Sequence, residues 1–183
     1  TGRSTHMCRD LWSRSLCVIH PPAGAWGFAR VNYQQGAEEF GDWSDIERLA
    51  ADYEIMADFM INHLSRRSPE FLDFIEKHDE SPYAHLFMRF KDFWENGYPT
   101  EEEIALLNKR KPCAPCEDIT FRDGTTEKIW CTFDDEQMDL DLRQDAAWDF
   151  VKRTLDNLVR HGIPLIRLDA LAFATKRPGT TCF

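Results

Sequence analysis

The sequence predicts an α/β fold, and three observations carry that prediction. A short apolar run, Leu16-Cys17-Val18-Ile19-His20, stops at Pro21-Pro22 as a buried parallel strand does. A capped helical pattern follows, and after it a second apolar run from Ile55 to Ile61, interrupted only by Asp58. Strand, helix and strand within about 45 residues form a βαβ unit, and such units build parallel sheets.

The elements justify themselves in order. After the first strand, Gly24, Gly27 and the neighbouring aromatics read as a loop. The helix opens with Ser44 as cap and Glu47 three residues on, and Ile46, Leu49, Ala50 and Tyr53 make its apolar stripe. From Leu64 to about Asp141 charge and aromatics dominate. Within that stretch Ser68 to Lys77 has helical spacing (Phe71, Leu72, Phe74, Ile75). Asn96-Gly97 and Asp123-Gly124 are turn signals, and Ile119-Thr120-Phe121 and Lys128-Ile129-Trp130-Cys131 flank the second as a hairpin. This segment reads as an insertion with its own lobe. Asp145 to Arg160 is then helical, with Phe150, Val151, Thr154, Leu155, Leu158 and Val159 on the apolar face and His161-Gly162 as stop. Leu165-Ile166-Arg167-Leu168-Asp169 is the next strand.

Composition narrows the function. A chain of 183 residues with 43% hydrophobic and 30% charged residues buries a real core. Its formal net charge of -10 excludes nucleic acid and anionic membrane surfaces as partners, and no run approaches the roughly 18 apolar residues of a membrane span. Thr1 to His6 lacks an apolar export region and reads as a tag or irregular leader, 1–15 in all. A cytoplasmic location with reduced thiols is therefore expected for Cys8, Cys17, Cys113, Cys116, Cys131 and Cys182. Cys113-Ala-Pro-Cys116 is redox-active or half a zinc site in principle, but no second pair follows at metal spacing.

Several residues are chemical candidates. Strand side chains alternate, so Leu165, Arg167 and Asp169 share one face and Ile166 and Leu168 the other. With helices outside the sheet, Arg167 and Asp169 point inward together. A guanidinium favours an ionised carboxylate beside it, and the C-terminal end of a parallel strand is where α/β barrels put catalysis. A structural ion pair bracing the interior is the equal alternative. His63, just after Asn62 at a strand end, either donates to a ligand hydroxyl or braces its neighbours, and the residue type alone favours bracing. Phe28 after Gly27 is a core residue or a platform for a sugar ring. Lys109-Arg110-Lys111, the one tight basic cluster, is a solvated charge run or an anion-contacting loop.

Read together, these segments resemble one family. Asp58-Phe59-Met60-Ile61-Asn62-His63 is similar to the D-x-x-x-N-H region of the α-amylase superfamily, the family-13 glycoside hydrolases. Arg167-Leu168-Asp169-Ala170 resembles its R-x-D region. Phe40-Gly41-Asp42-Trp43-Ser44-Asp45-Ile46, Gln137-Met138-Asp139-Leu140-Asp141 and Lys176 to Phe183 resemble segments of its sucrose phosphorylase branch. The resemblance runs from Leu16 to Phe183. It implies a partial (β/α)8-type barrel of about three βα units, built from 16–63 and 142–183, with 64–141 as an inserted small α+β lobe. It implies retaining glucosyl transfer from sucrose-like α-glucosides through a covalent glucosyl-enzyme, with phosphate as acceptor and no organic cofactor or metal. By the same resemblance Asp169 is the nucleophile and Arg167 holds it. His63, Asp58 and Asn62 belong to the glucosyl site, Phe28 is the sugar platform, and Lys109, Arg110 and Lys111 lie in the acceptor loop.

The sequence also departs from the family. Where the family carries an aspartate two residues before its G-F pair, this chain has Ala25, followed by Trp26. A methyl cannot accept the sugar's hydrogen bonds, each worth roughly 1.5–3 kcal/mol to a charged acceptor. No residue up to Phe183 matches the family's acid/base glutamate or its stabilising aspartate. The expectation is an incomplete catalytic site, with a weak sugar-binding remnant as the alternative. A sheet with bare edges also invites a homo-oligomer or a compact non-barrel packing.

Overall fold

In the computed structural model the described residues are 14–17, 22–23, 29–30, 42–107 and 110–181. Strand β1, Arg14–Cys17, begins two residues earlier than the apolar run suggests, and Val18 to His20 lie outside the described residues. Where a plain loop was expected, β2 (Pro22–Ala23) and β3 (Ala29–Arg30) pair antiparallel.

Helix α1 spans Trp43–Asp52. Its cap is Asp42, not Ser44: the Asp42 carboxylate accepts from the Ser44 and Asp45 N–H groups at 2.8 and 3.3 Å, and Asp45 returns a bond to the Asp42 N–H at 3.0 Å. A carboxylate satisfies the free amides and also meets the positive end of the helix dipole, so it outcompetes a serine two residues on. Of the expected stripe Ile46 is buried, whereas Leu49 and Tyr53 are about half exposed.

Strand β4, Glu54–Met60, alternates as its burial shows. Ile55 and Ala57 pack with Ile46, Leu158 and Ile163 beneath the helices, which turns Asp58 to the opposite face. β1, β4 and β9 (Leu165–Asp169) form one parallel sheet in the order β1-β4-β9, with Asp58 opposite Arg167 and Met60 opposite Asp169. Strand order follows chain order without reversal. That is the winding of a barrel segment, whereas a doubly wound sheet reverses at its midpoint. The fold is an α/β partial barrel.

Between β4 and β9 the chain makes β5 (His63–Ser65), α2 (Pro69–Lys77), α3 (Phe90–Phe93), α4 (Glu101–Leu106), β6 (Cys116–Thr120), β7 (Thr126–Trp130), β8 (Gln137–Asp139) and α5 (Asp145–Arg160). Ser68 caps α2 by accepting from the Phe71 N–H, with proline in the first turn. The β6–β7 hairpin closes at Gly124, whose φ of +85° suits glycine. β5 and β8 pair antiparallel, placing His63 opposite Asp139. α5 buries Ala147, Phe150, Val151, Thr154 and Leu158, while Val159, expected on that face, is 61% exposed. One buried cluster takes Phe59 and Ile61, Phe71 and Phe74 of α2, Ile119 and Ile129 of the hairpin, and Phe150 and Val151 of α5. The segment between β4 and β9 and the sheet therefore share apolar core. Among the described residues no helix is long and apolar enough to cross a membrane.

Candidate active site at the strand ends

The register of β4 against β9 brings three charged side chains together. Arg167 NH1 donates to Asp58 Oδ1 at 2.8 Å, and Arg167 NH2 lies 3.4 Å from Asp169 Oδ1. The bond to Asp58, then the charge of Asp169, holds the guanidinium's pKa above its ordinary value. Arg167 is about half exposed and Asp58 nearly buried, so the trio opens from the sheet face towards solvent. The Ala170 N–H also donates to Asp169 Oδ1, at 2.9 Å. Among the described residues Asp169 Oδ2 accepts no hydrogen bond. Ala170 holds a left-handed conformation with φ 56°, a costly state for a residue with a Cβ, found most often where a site over-determines the backbone. The turn it makes starts the short helical turn Leu171–Phe173 directly after the aspartate.

Behind this trio lies a second, buried polar cluster. The Lys176 ammonium is almost inaccessible and donates to Asn62 Oδ1 at 2.8 Å and the Phe173 carbonyl at 2.5 Å, with Asp139 Oδ2 at 3.0 Å. Two hydrogen bonds and one ion pair thus surround the ammonium. Asp139 also accepts from Asn62 Nδ2 at 2.9 Å, from the Thr132 N–H at 3.3 Å and from the Thr132 hydroxyl. The Asn62 amide thus has both ends occupied. Its Nδ2 stands 3.3 Å from His63 Nδ1, and His63, 2% exposed, meets the Phe133 ring at 5.5 Å. The cluster ties the end of β4, β8 and the segment after β9 into one block, and it orients His63.

The basic loop divides. Arg110 is exposed, with its guanidinium 5.9 Å over Phe133 and 5.4 Å over Phe173. Lys111 is turned inward, onto Asp135 and to 3.2 Å from Cys131 Sγ. Lys109, Phe28, Ala25 and Trp26 lie outside the described residues. Glu117, Cys131 and Asp135 bring donor atoms within 4.8 Å of one another, but the Lys111 ammonium already stands among them. The thiols of Cys113, Cys116 and Cys131 are free, and neither residue of the C-x-x-C pair joins that trio.

The structure brings together Asp58, Arg167 and Asp169, and separately Asn62 and His63. Sequence reasoning missed roles for Asp139, Lys176, Thr132 and Phe133. Asp139 and Lys176 stood inside recognised motifs, yet a buried lysine in a run of polar residues carries no local sign of its partner.

The sequence profile described as "Alpha amylase, catalytic domain" matches residues 17–181. The sucrose phosphorylase of Streptococcus mutans is 44% identical over 92% of this chain and 35% of its own length. The glucosylglycerol phosphorylase of Marinobacter adhaerens is 34% identical over 98% of this chain and 37% of its own. The crystal structure of the sucrose 6F-phosphate phosphorylase from Thermoanaerobacter thermosaccharolyticum superposes with a TM-score of 0.85 at 33% identity, covering 93% of this chain and 35% of that one. The chain spans about a third of the length of these relatives.

Proposed function

Because the chain belongs to the α-amylase family, we propose that it supplies the nucleophile half of a site for retaining α-glucosyl transfer from sucrose-like glucosides to phosphate. The observation that carries this reading is Asp169: a carboxylate at a parallel strand's end, held at one oxygen by Arg167 and the Ala170 N–H, with no hydrogen bond to the other oxygen among the described residues. In the first step Oδ2 attacks the anomeric carbon, the bond to the leaving oxygen breaks as that oxygen takes a proton from the acid of the site's other half, and a glucosyl ester forms. Phosphate then displaces Asp169 and carries the glucosyl group away. Arg167, steadied by Asp58, keeps the carboxylate aimed. His63 bonds sugar hydroxyls, and Asn62, with both amide ends occupied, acts by positioning His63. Phe28 and Lys109 keep the roles the resemblance implies. In this reading 16–63 with 142–183 is the barrel part and 64–141 the inserted lobe. Free thiols suit a cytoplasmic setting, and exposed Leu168 and Leu171 beside the sheet suit an edge covered by a second copy.

An activated donor tests the nucleophile by itself. Fluoride leaves α-glucosyl fluoride without needing a proton, so no general acid is required. The expected result is slow fluoride release with a glucosyl ester on Asp169, found by peptide mass analysis and absent in Asp169→Asn. Release that survives this substitution sinks the assignment.

A further inference from the structure

A groove along α5, facing the first turn of α2 and Tyr83, gathers charges that the chain leaves unpaired. It consists of two adjoining hollows of about 290 and 470 Å3 that share Tyr83, Arg153 and Asp156. Helical spacing puts Asp149, Arg153, Asp156 and Arg160 on one face of α5, with Lys152 beside them. In a chain of net charge -10, Lys152, Arg153 and Arg160 are all exposed, and among the described residues none of them forms an ion pair. Arg153 Nε reaches only the Asp149 carbonyl, at 3.4 Å. The floor is Phe150, 3% exposed, and the half-buried Tyr83 offers a ring and a hydroxyl. Glu70 borders the smaller hollow, where burial pushes its carboxyl pKa up against the charge of Arg153. None of Asp58, His63, Arg167 and Asp169 lines this groove.

The mixture of signs points to one kind of ligand. Bare phosphate would meet the cations but also the two aspartates, which repel it. A neutral sugar would find acceptors and a ring but leave the guanidinium groups unused. A molecule with a phosphate at one end and hydroxyls at the other satisfies both, since guanidinium pairs phosphate and carboxylates accept from hydroxyls. A flat nucleotide base wants an apolar slot, which these charged walls do not supply. Together the hollows reach the roughly 300–1,000 Å3 of small-molecule sites.

We propose that this groove is a second ligand site, for a sugar monophosphate. Arg153 and Arg160 take the phosphate in the smaller hollow, while Asp149, Asp156 and Tyr83 take the sugar in the larger. This site stands independently of the glucosyl-transfer reading.

Amide NMR of the full chain, titrated with glucose 6-phosphate, tests it, with inorganic phosphate, glucose and adenosine monophosphate as comparison probes. Glucose 6-phosphate carries only a hydroxyl on its anomeric carbon, so it is no glycosyl donor for Asp169. Saturable shifts are expected at Tyr83, Arg153, Asp156 and Arg160, with inorganic phosphate and glucose each binding at least about tenfold more weakly. Arg153→Gln should weaken glucose 6-phosphate about tenfold with the melting temperature unmoved, because its side chain is exposed. Asp156→Ala separates recognition from charge: it should weaken glucose 6-phosphate about threefold or more, yet tighten inorganic phosphate. Asp169→Asn should bind glucose 6-phosphate as the unaltered chain does. Tightening of both ligands in Asp156→Ala overturns the proposal and leaves only a basic patch. So do inorganic phosphate or adenosine monophosphate binding as tightly as glucose 6-phosphate, and unchanged affinity in Arg153→Gln. Shifts confined to the strand ends, a loss in Asp169→Asn, or no binding by the unaltered chain overturn it as well.

Discussion

The ends of β4 and β9 carry two carboxylate–cation clusters built in opposite ways. Around Lys176 two hydrogen bonds and an ion pair to Asp139 hold the ammonium, and Asp139 accepts three further hydrogen bonds, with both side chains at 1% exposure or less. Around Arg167 the charges are shared between two carboxylates, the guanidinium is 47% exposed, and one oxygen of Asp169 accepts no hydrogen bond among the described residues. A fully satisfied buried cluster has no capacity left for a substrate, so its contribution is rigidity. A half-open cluster contributes little stability because solvent already screens it, but it keeps a lone pair for chemistry. The comparison separates a brace from the group proposed to react without reference to residue type, since both clusters contain an aspartate and a cation.

The largest expected effect falls on the open cluster. Asp169→Asn should lower fluoride release from α-glucosyl fluoride by about four orders of magnitude, while leaving the melting transition in place. A matching loss of stability would mean that Asp169 is a brace after all. Next comes the buried cluster. Lys176→Met leaves Asp139 charged and unpaired in the core and should cost about 3–5 kcal/mol by urea unfolding. A cost near zero would break the distinction.

A third measurement extends the comparison to the segment between β4 and β9, where Arg89 is 5% exposed and bonds to Glu127 at 2.7 Å. Burial would raise the Glu127 pKa, but the bonds from Arg89 and Lys91 prevail and lower it from 4.5 to about 2. A carboxyl depressed in the folded state adds stability that is present above pH 4.5 and is lost as pH falls towards 2. Urea melts across that window should show a loss of about 2 kcal/mol that is missing in Glu127→Gln. The smallest effect belongs to Arg167→Lys. A compact ammonium cannot reach Asp58 and Asp169 together, so fluoride release should drop about tenfold with stability changed by less than about 0.5 kcal/mol.

Legibility in the sequence followed the range of the interactions. The three parallel strands, the α2 and α5 helices and the β6–β7 hairpin all came from patterns within a dozen residues. The shared face of Arg167 and Asp169 follows from alternation, and in the structure the Arg167 guanidinium lies 3.4 Å from Asp169. The cap of α1 was misassigned because Asp42 and Ser44 both fit the local pattern, and only the bonding partners distinguish them. The basic cluster was read as a unit, yet its two described members diverge, because Asp135 and Cys131 capture Lys111 from 24 and 20 residues away.

By itself, then, the sequence determined the α/β class, the winding units and the pairing of Arg167 with Asp169, each set by periodicity or by immediate neighbours. Tertiary structure alone decided that Asn62 meets Asp139 across 77 residues and Lys176 across 114. It also decided that of two neighbouring cations one is buried and one is presented. The physical reason is that a side chain's geometry is local while its dielectric surroundings and partners depend on where the chain returns. Charge becomes a brace or a reagent only once that return is made.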